Sequence, residues 1–179
     1  DTPTPYLDGG NYAVLNPLHK AASATVSDGN TKAVASTTTC VVASTIAVNS
    51  GKWYWEHTTG TAYDMVGVVS PSSPVGTMTA PGYSSDSYGY LMTTGNKYNN
   101  SSASAYGATF SSGDVIGVAL DLDAGTLTYY KNNVSQGVAF SSLSGYFMPA
   151  MRPTTNAAGS IANFGQRPFA YTPPTGFKS

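Results

Sequence analysis

The sequence predicts an all-β domain, an antiparallel sandwich or barrel. Three observations carry that prediction. Between Gly113 and Phe140, Ile116, Val118, Leu120 and Leu122 fall at every second position, with Val115, Gly117, Ala119 and Asp121 between them. That is the period of a strand, whose side chains point alternately to two faces. Turn-forming residues separate strand-like runs roughly every eight to twelve residues. No stretch of about ten residues or more carries a helical period with capping residues at its ends. The chain also shows no internal repeat, which argues against a propeller or a β-helix.

Taken in order, residues 1–5 read as a Pro/Thr linker and residues 6–179 as a single domain. Tyr6 to His19 is an opening segment that contains the Asp8-Gly9-Gly10 turn. Ala24–Val26 and Lys32–Ala35 flank Ser27-Asp28-Gly29-Asn30 and are expected to form a hairpin. Cys40 to Val48 is a strand candidate that ends at Asn49-Ser50-Gly51. Lys52 to His57 (KWYWEH) is the densest aromatic strand. Ala62 to Val69 follows and stops at Ser70-Pro71. Residues 71–81 hold three prolines and read as loop. Tyr88–Met92 and a short strand near Lys97-Tyr98 precede a polar loop over Asn99–Ser104. A meander comes next. Its first strand turns at Asp123-Ala124-Gly125, Thr126–Tyr130 turns at Asn132-Asn133, and a third strand runs to Phe140. Tyr146–Met151 and Ser160–Phe164 close the series, and the Pro-rich Phe169–Phe177 is expected to lie along the outside.

Composition narrows the function classes. Only 9% of the 179 residues are charged, against roughly 25% in a typical soluble protein. The formal charge is −1, so no basic field exists to attract nucleic acid or an anionic membrane. No apolar run of about 18 residues is present to span a bilayer, so membrane insertion is not expected. Cys40 is the sole cysteine, which excludes an internal disulfide and a cysteine metal cluster. Its neighbours Val41 and Val42 predict a buried, inert thiol. Beginning at Asp1 and ending at Gly-Phe-Lys-Ser, the chain is expected to be an excised piece of a longer protein.

A set of short phrases occurs in one register: Gly51-Lys52-Trp53-Tyr54-Trp55-Glu56, Val66-Gly67-Val68, Tyr88-Gly89-Tyr90, Tyr106-Gly107, Gly113-Asp114-Val115-Ile116-Gly117-Val118, Leu120-Asp121 through Gly125-Thr126-Leu127, Tyr129-Tyr130-Lys131-Asn132, Gly137-Val138-Ala139-Phe140, Pro149-Ala150 and Asn163-Phe164-Gly165. In order and spacing these resemble the SPRY domain, over roughly residues 41–169. The resemblance implies a bent two-sheet antiparallel β-sandwich of the concanavalin-like, jelly-roll type. It also implies a binding module without catalysis or cofactor, which grips its partner with loops at one rim. Tyr12–Lys20, Thr45–Trp55 and Asn163–Ser179 further resemble the SPRY-type modules of bacteriophage and other viral structural proteins.

Carried residue by residue, the resemblance to peptide-binding SPRY adaptors places a contact tyrosine at Tyr83, after Gly82. It places a second contact loop near Ala62 and Tyr63, extended here to Asp64. A Trp-Gly pair of those adaptors falls on Thr155-Asn156, and the lost tryptophan argues against their Asn-rich peptide as the ligand.

The remaining candidates come from residue chemistry. Five tyrosines lie between residues 83 and 106 amid Ser, Gly and Asn, the chemistry of recognition surfaces that pair rigid amphipathic rings with adaptable polar groups. Tyr83 and Tyr98, with Asn99 and Asn100, are the loop candidates among them. Tyr88, Tyr90 and Tyr106 are expected on strands, in or against the core. Arg152 and Arg167 are the only arginines. Arg152 stands before Thr154-Thr155-Asn156 and is expected either to meet a ligand carboxylate or to pair with an aspartate. Trp53 and Trp55 share a face and are expected in the core rather than as an exposed sugar platform.

Asp121 and Asp123 are read as turn-building rather than calcium-binding. Glu56, the sole glutamate, is read as a hydrogen-bonded strand residue, since a glycosidase needs two flanking carboxylates. His19 and His57 bring no third ligand that would make a zinc site. No Gly-x-Ser-x-Gly phrase singles out a nucleophile. The expected function is recognition of a host-surface glycan or protein by a virion or tail-fibre component. In that setting the domain is extracellular, packs with other virion subunits, and gains avidity from oligomerisation through the rest of a longer chain. The alternatives are a cytoplasmic adaptor for a short peptide and a purely structural decoration domain. The contact rim is expected at residues 62–64, 72–79, 81–86, 99–104 and 154–156.

Overall fold

The computed structural model describes residues 11–61, 63–155 and 157–179. Within them the chain forms β1 (Leu15–Lys20), β2 (Ala24–Ser27), β3 (Lys32–Ala35), β4 (Val42–Ser44), β5 (Lys52–Thr58), β6 (Met65–Val69), β7 (Ser87–Leu91), β8 (Asn96–Asn99), β9 (Ser102–Ala105), β10 (Val115–Asp121), β11 (Thr126–Lys131), β12 (Val134–Phe140), β13 (Met148–Arg152) and β14 (Ser160–Asn163). These make two seven-stranded sheets, ordered β1-β4-β13-β6-β7-β8-β9 and β12-β11-β10-β5-β14-β3-β2. Their ladders are antiparallel.

The two sheets face each other across one apolar core, as the period of two requires. Ile116, Val118 and Leu120 of β10 and Trp53 and Trp55 of β5 meet Val66 and Val68 of β6, Tyr90 of β7 and Met151 of β13. The tryptophans are therefore core residues, and the indole of Trp53 donates to the Ser50 carbonyl at 2.7 Å. Cys40 is fully buried in the same core, and burial pushes its thiol up.

The first sheet is covered on its outer face as well. The loop over residues 70–86 folds back across it, packing Val75 and Met78 on Val41, Ala43, Val69 and Ala150. Ala80 packs on Met65 and Leu91. Within Ser72–Thr79, Ser73, Val75 and Met78 are buried under this cover, while Ser72, Pro74, Gly76 and Thr77 are exposed. Gly89 makes the close approach possible, because a Cβ there would lie 2.2 Å from the Pro81 carbonyl oxygen.

On the second sheet, the C-terminal tail lies along the outside, as the sequence implies. The Lys178 N–H donates to the Lys52 carbonyl at 2.9 Å, and its carbonyl accepts from Tyr54 at 2.6 Å. Glu56 is 3% exposed. It accepts N–H bonds from Ala170 (2.7 Å) and Tyr171 (2.9 Å) and a bond from the Tyr54 hydroxyl (3.2 Å). The only glutamate is consumed as a tether for the tail.

Several boundaries differ from expectation: β1 runs through the opening segment to Lys20, β6 begins at Met65 rather than Ala62, and Tyr106 lies just after β9. Asn99–Ser104 is a hairpin rather than a loop. Asn100 (φ 49) and Ser101 (φ 61) both adopt left-handed backbone and join β8 to β9, the geometry that suits a two-residue turn between twisted strands. Cys40–Val48 contributes only the short β4, with Val48 bridging to Phe147 on its own.

A candidate recognition rim

The rim is built where the loops before β6, before β7 and after β13 converge. Tyr83 stacks on Tyr98 of β8, with ring centroids 5.7 Å apart and planes 8° from parallel. Gly82 sets the pair, since its φ of +94 is a conformation open to glycine and a Cβ would lie 2.5 Å from the Tyr98 carbonyl oxygen. The β8–β9 turn then locks the loop. Ser101 N–H donates to the Gly82 carbonyl at 3.0 Å and Asn100 N–H to the Ser84 carbonyl at 3.1 Å. The Asn99 amide donates to the carbonyls of Ser85 (3.1 Å) and Ser87 (2.9 Å). Asn99 is half-buried, and its amide NH2 holds the loop. Asn100 is exposed at the turn.

Asp64 is also not a contact residue. It is fully buried, because it precedes β6 on the same inward face as Val66. Its Oδ2 accepts the Gly60 N–H at 2.7 Å, and the Ser160 hydroxyl donates to both carboxylate oxygens at 2.8 Å. Ser160 Oγ in turn accepts the Thr154 N–H at 3.0 Å, while Thr61 and Thr154 share a 2.8 Å hydroxyl bond. His57 Nε2 lies 3.4 Å from Asp64 Oδ2. Serine, histidine and aspartate thus meet, but the serine hydroxyl is spent on the carboxylate and all three groups are out of solvent. The cluster works as a clasp joining the two sheets beneath the rim.

Arg152, the last residue of β13, is 6% exposed. Its Nε–H donates to the Tyr63 carbonyl at 2.8 Å. Among the described residues no carboxylate lies within ion-pair distance of it, so the expected aspartate partner is not found there. Burial pulls its guanidinium below the ordinary value, while Tyr83, Asp64 and Tyr98 pull the other way. Arg152 thereby ties the end of β13 to the Tyr63 loop. Tyr63 is 57% exposed, and Thr155 is exposed in the loop that the Thr61–Thr154 bond joins to the Tyr63 loop. Ala62 and Asn156 lie outside the described residues. The rim thus brings together Tyr63, Tyr83, Tyr98, Arg152 and Thr155.

Sequence reasoning missed the inner frame of Gly60, Ser160 and Ser87, whose hydroxyl accepts the Gly82 N–H at 2.9 Å, and it placed Thr154 on the contact rim although Thr154 is buried. Small hydroxyl residues and a glycine carry no signal in a chain this rich in them. Elsewhere, Asp121 accepts N–H bonds from Asp123 (3.1 Å) and Ala124 (2.9 Å) and pairs with Lys52 at 2.9 Å. Asp123 accepts the Gly51 N–H at 2.7 Å. Both aspartates build their turn. Among the described residues no group of three or more His, Cys, Asp or Glu side chains is placed to hold a metal ion.

Residues 52–167 match the SPRY domain. The chain belongs to the SPRY domain family. The fold agrees with solved members. The SPRY domain of human HERC1 superposes with a TM-score of 0.72 at 21% identity, covering 86% of this chain and 99% of that one. The TRIM65 PSpry domain gives 0.67 at 19%, covering 86% and 91%. Among curated proteins, this SPRY domain is 40% identical over 92 residues to Ran-binding protein 10 of Danio rerio. It is 39% identical over 92 residues to Ran-binding protein 9 of Homo sapiens. Each alignment covers 51% of this chain, but only 15% and 13% of those relatives. The SPRY domain is a protein-binding module, and the curated relatives named here are animal proteins rather than viral ones.

Proposed function

We propose that this SPRY domain is a non-enzymatic recognition module, of the adaptor kind, that holds a short segment of a partner protein against Tyr63, Tyr83, Tyr98, Arg152 and Thr155. The observation that carries the reading is the tyrosine pair and the exposed Tyr63 gathered around Arg152 on a hydrogen-bonded frame. Rigid aromatic rings with polar tips, beside one charged donor, lose little entropy when they order a ligand. Similarity to Ran-binding proteins supports a protein partner and favours a peptide-gripping adaptor over a virion-surface module for a host glycan.

Selection of a displayed random-peptide library on the immobilised domain tests the reading. Wild-type protein is expected to enrich a shared motif that Tyr83→Ala fails to retain. Enrichment of no motif by the folded domain, or an identical motif and affinity with Tyr83→Ala, contradicts the reading.

A further inference from the structure

The edge strands are β1 and β9 in the first sheet and β12 and β2 in the second. An edge presents backbone groups that can pair with another chain, and proteins guard it with proline, lysine, bulges or covering groups. All but β9 are guarded in this way. β1 holds Pro17, which has no N–H, and its register with β4 shifts between Leu15 and Lys20. β12 has register shifts against β11, and its Gly137 and Ala139 carbonyls accept from the Tyr106 hydroxyl and the Lys97 ammonium. At β2, the Ala24 N–H donates to the Ala21 carbonyl at 3.0 Å, and the Ala24 carbonyl accepts from Lys20 Nζ at 2.7 Å.

β9 is built differently. Ser102-Ala103-Ser104-Ala105 is exposed throughout. It pairs with β8 without a register shift, Asn99 opposite Ser102 and Lys97 opposite Ser104. The two-residue turn at Asn100-Ser101 makes Asn99 and Ser102 a hydrogen-bonded pair, and bonded pairs alternate along an antiparallel ladder. Ser102 and Ser104 therefore spend their backbone groups on β8, while those of Ala103 and Ala105 point away from the sheet. Among the described residues no other strand or side chain bonds to them.

Outward groups two residues apart are self-complementary. Two copies of β9 laid antiparallel about a two-fold axis at Ser104 set Ala103 opposite the second copy's Ala105, and each such pair exchanges both N–H···O=C bonds. Charge favours a second copy over a charged partner strand. No Asp, Glu, Lys or Arg lies between Lys97 and Asp114. The Lys97 ammonium is turned onto the Ala139 carbonyl and over the Tyr106 and Phe140 rings. Two copies thus meet without like-charge repulsion, and a charged strand finds no counter-charge. We infer that β9 is a self-association edge, across which two copies of this domain join their first sheets into one continuous antiparallel sheet. A strand of 4 residues buries far less than the roughly 1,200 Å² of a stable interface, so the association is weak.

Sedimentation equilibrium of the domain from about 10 µM to about 1 mM reads the mass. Ala103→Pro removes an outward N–H and leaves the ladder with β8 whole. Ser104→Cys puts a thiol on the two-fold axis, where facing Cα atoms stand about 4.5 Å apart, within disulfide reach. Ala103→Cys is the control, because that residue faces Ala105 and not itself. The native Cys40 is buried and does not compete. Expected are a mass that climbs from monomer toward dimer, a monomer throughout for Ala103→Pro, and a disulfide-linked dimer that forms under a mild oxidant at least tenfold faster from Ser104→Cys than from Ala103→Cys. The cysteine pair decides the matter if proline unfolds the hairpin. A wild-type monomer at the highest concentration, a dimer that survives in folded Ala103→Pro, or a trapping ratio below tenfold overturns the inference. So does a monomer whose Ala103 and Ala105 amides are shifted by a library peptide, which gives the edge to a partner strand.

Discussion

The hydroxyl of Ser160 sits 2.8 Å from both carboxylate oxygens of Asp64, so a strand of the second sheet is tied to the loop that opens β6 of the first. Both residues are fully buried. The bond therefore closes the sandwich at the residue that follows Tyr63.

Asp64→Ala strands the Gly60 N–H and the Ser160 hydroxyl in the interior and removes the carboxylate 3.4 Å from His57 Nε2. Each unpaired buried group costs roughly 1–3 kcal/mol, and the expected loss is about 3 kcal/mol of unfolding free energy by urea denaturation. A loss below about 0.5 kcal/mol, the level of an ordinary surface substitution, is incompatible with the clasp.

Glu56→Gln tests the tail tether. The amide side chain keeps its size but loses the charge that both N–H groups point at. Hydrogen exchange at Ala170 and Tyr171 is expected to rise selectively, while exchange along β10 stays protected. Unchanged exchange at those two amides counts against the tether.

Gly82→Ala forces a side chain into left-handed backbone and toward Tyr98. The expected cost is at least about 2 kcal/mol, with loss of the Tyr83–Tyr98 stack seen as sharpened exposure of Tyr83 to solvent quenchers. Wild-type stability in this variant means the loop packs differently.

The Lys52–Asp121 pair sets a pH dependence with a sign at each end. Burial raises the Asp121 carboxyl, but the Lys52 ammonium and the Ala124 and Asp123 N–H groups outweigh it, so its pKa falls below the ordinary 3.8. Its contribution is present above that value and is lost as pH falls through the lower folded pKa. Lys52 is raised above 10.5, chiefly by its hydrogen bond to Asp121, so its contribution is present below 10.5 and is lost as pH rises through the higher folded pKa. Asp121→Asn is expected to flatten Tm against pH at both extremes. A profile that keeps the wild-type slopes assigns them to other groups.

Much of the fold was legible because the meander declares itself. Ile116, Val118 and Leu120 alternate, and all three face the core. The burial of Asp64 could have been found from the same period, two positions before Val66. The Asn100-Ser101 turn was hidden because neither residue is glycine, and the role of residues 70–86 because a covering loop has no period. Tyr63 carried no sign of its left-handed backbone (φ 70), and its carbonyl is bonded by Arg152, which lies far from it along the chain.

Amide chemical-shift mapping with the best library peptide tests the rim most directly. Perturbations should concentrate at Tyr63, Tyr83, Tyr98 and Thr155, together with the Arg152 Nε–H signal, one of only two arginine signals the chain can give. Perturbations centred instead on the apolar cleft lined by Ile46, Val48, Trp53 and Phe164, or along the edge strand β12, contradict the assignment of the rim as the binding surface.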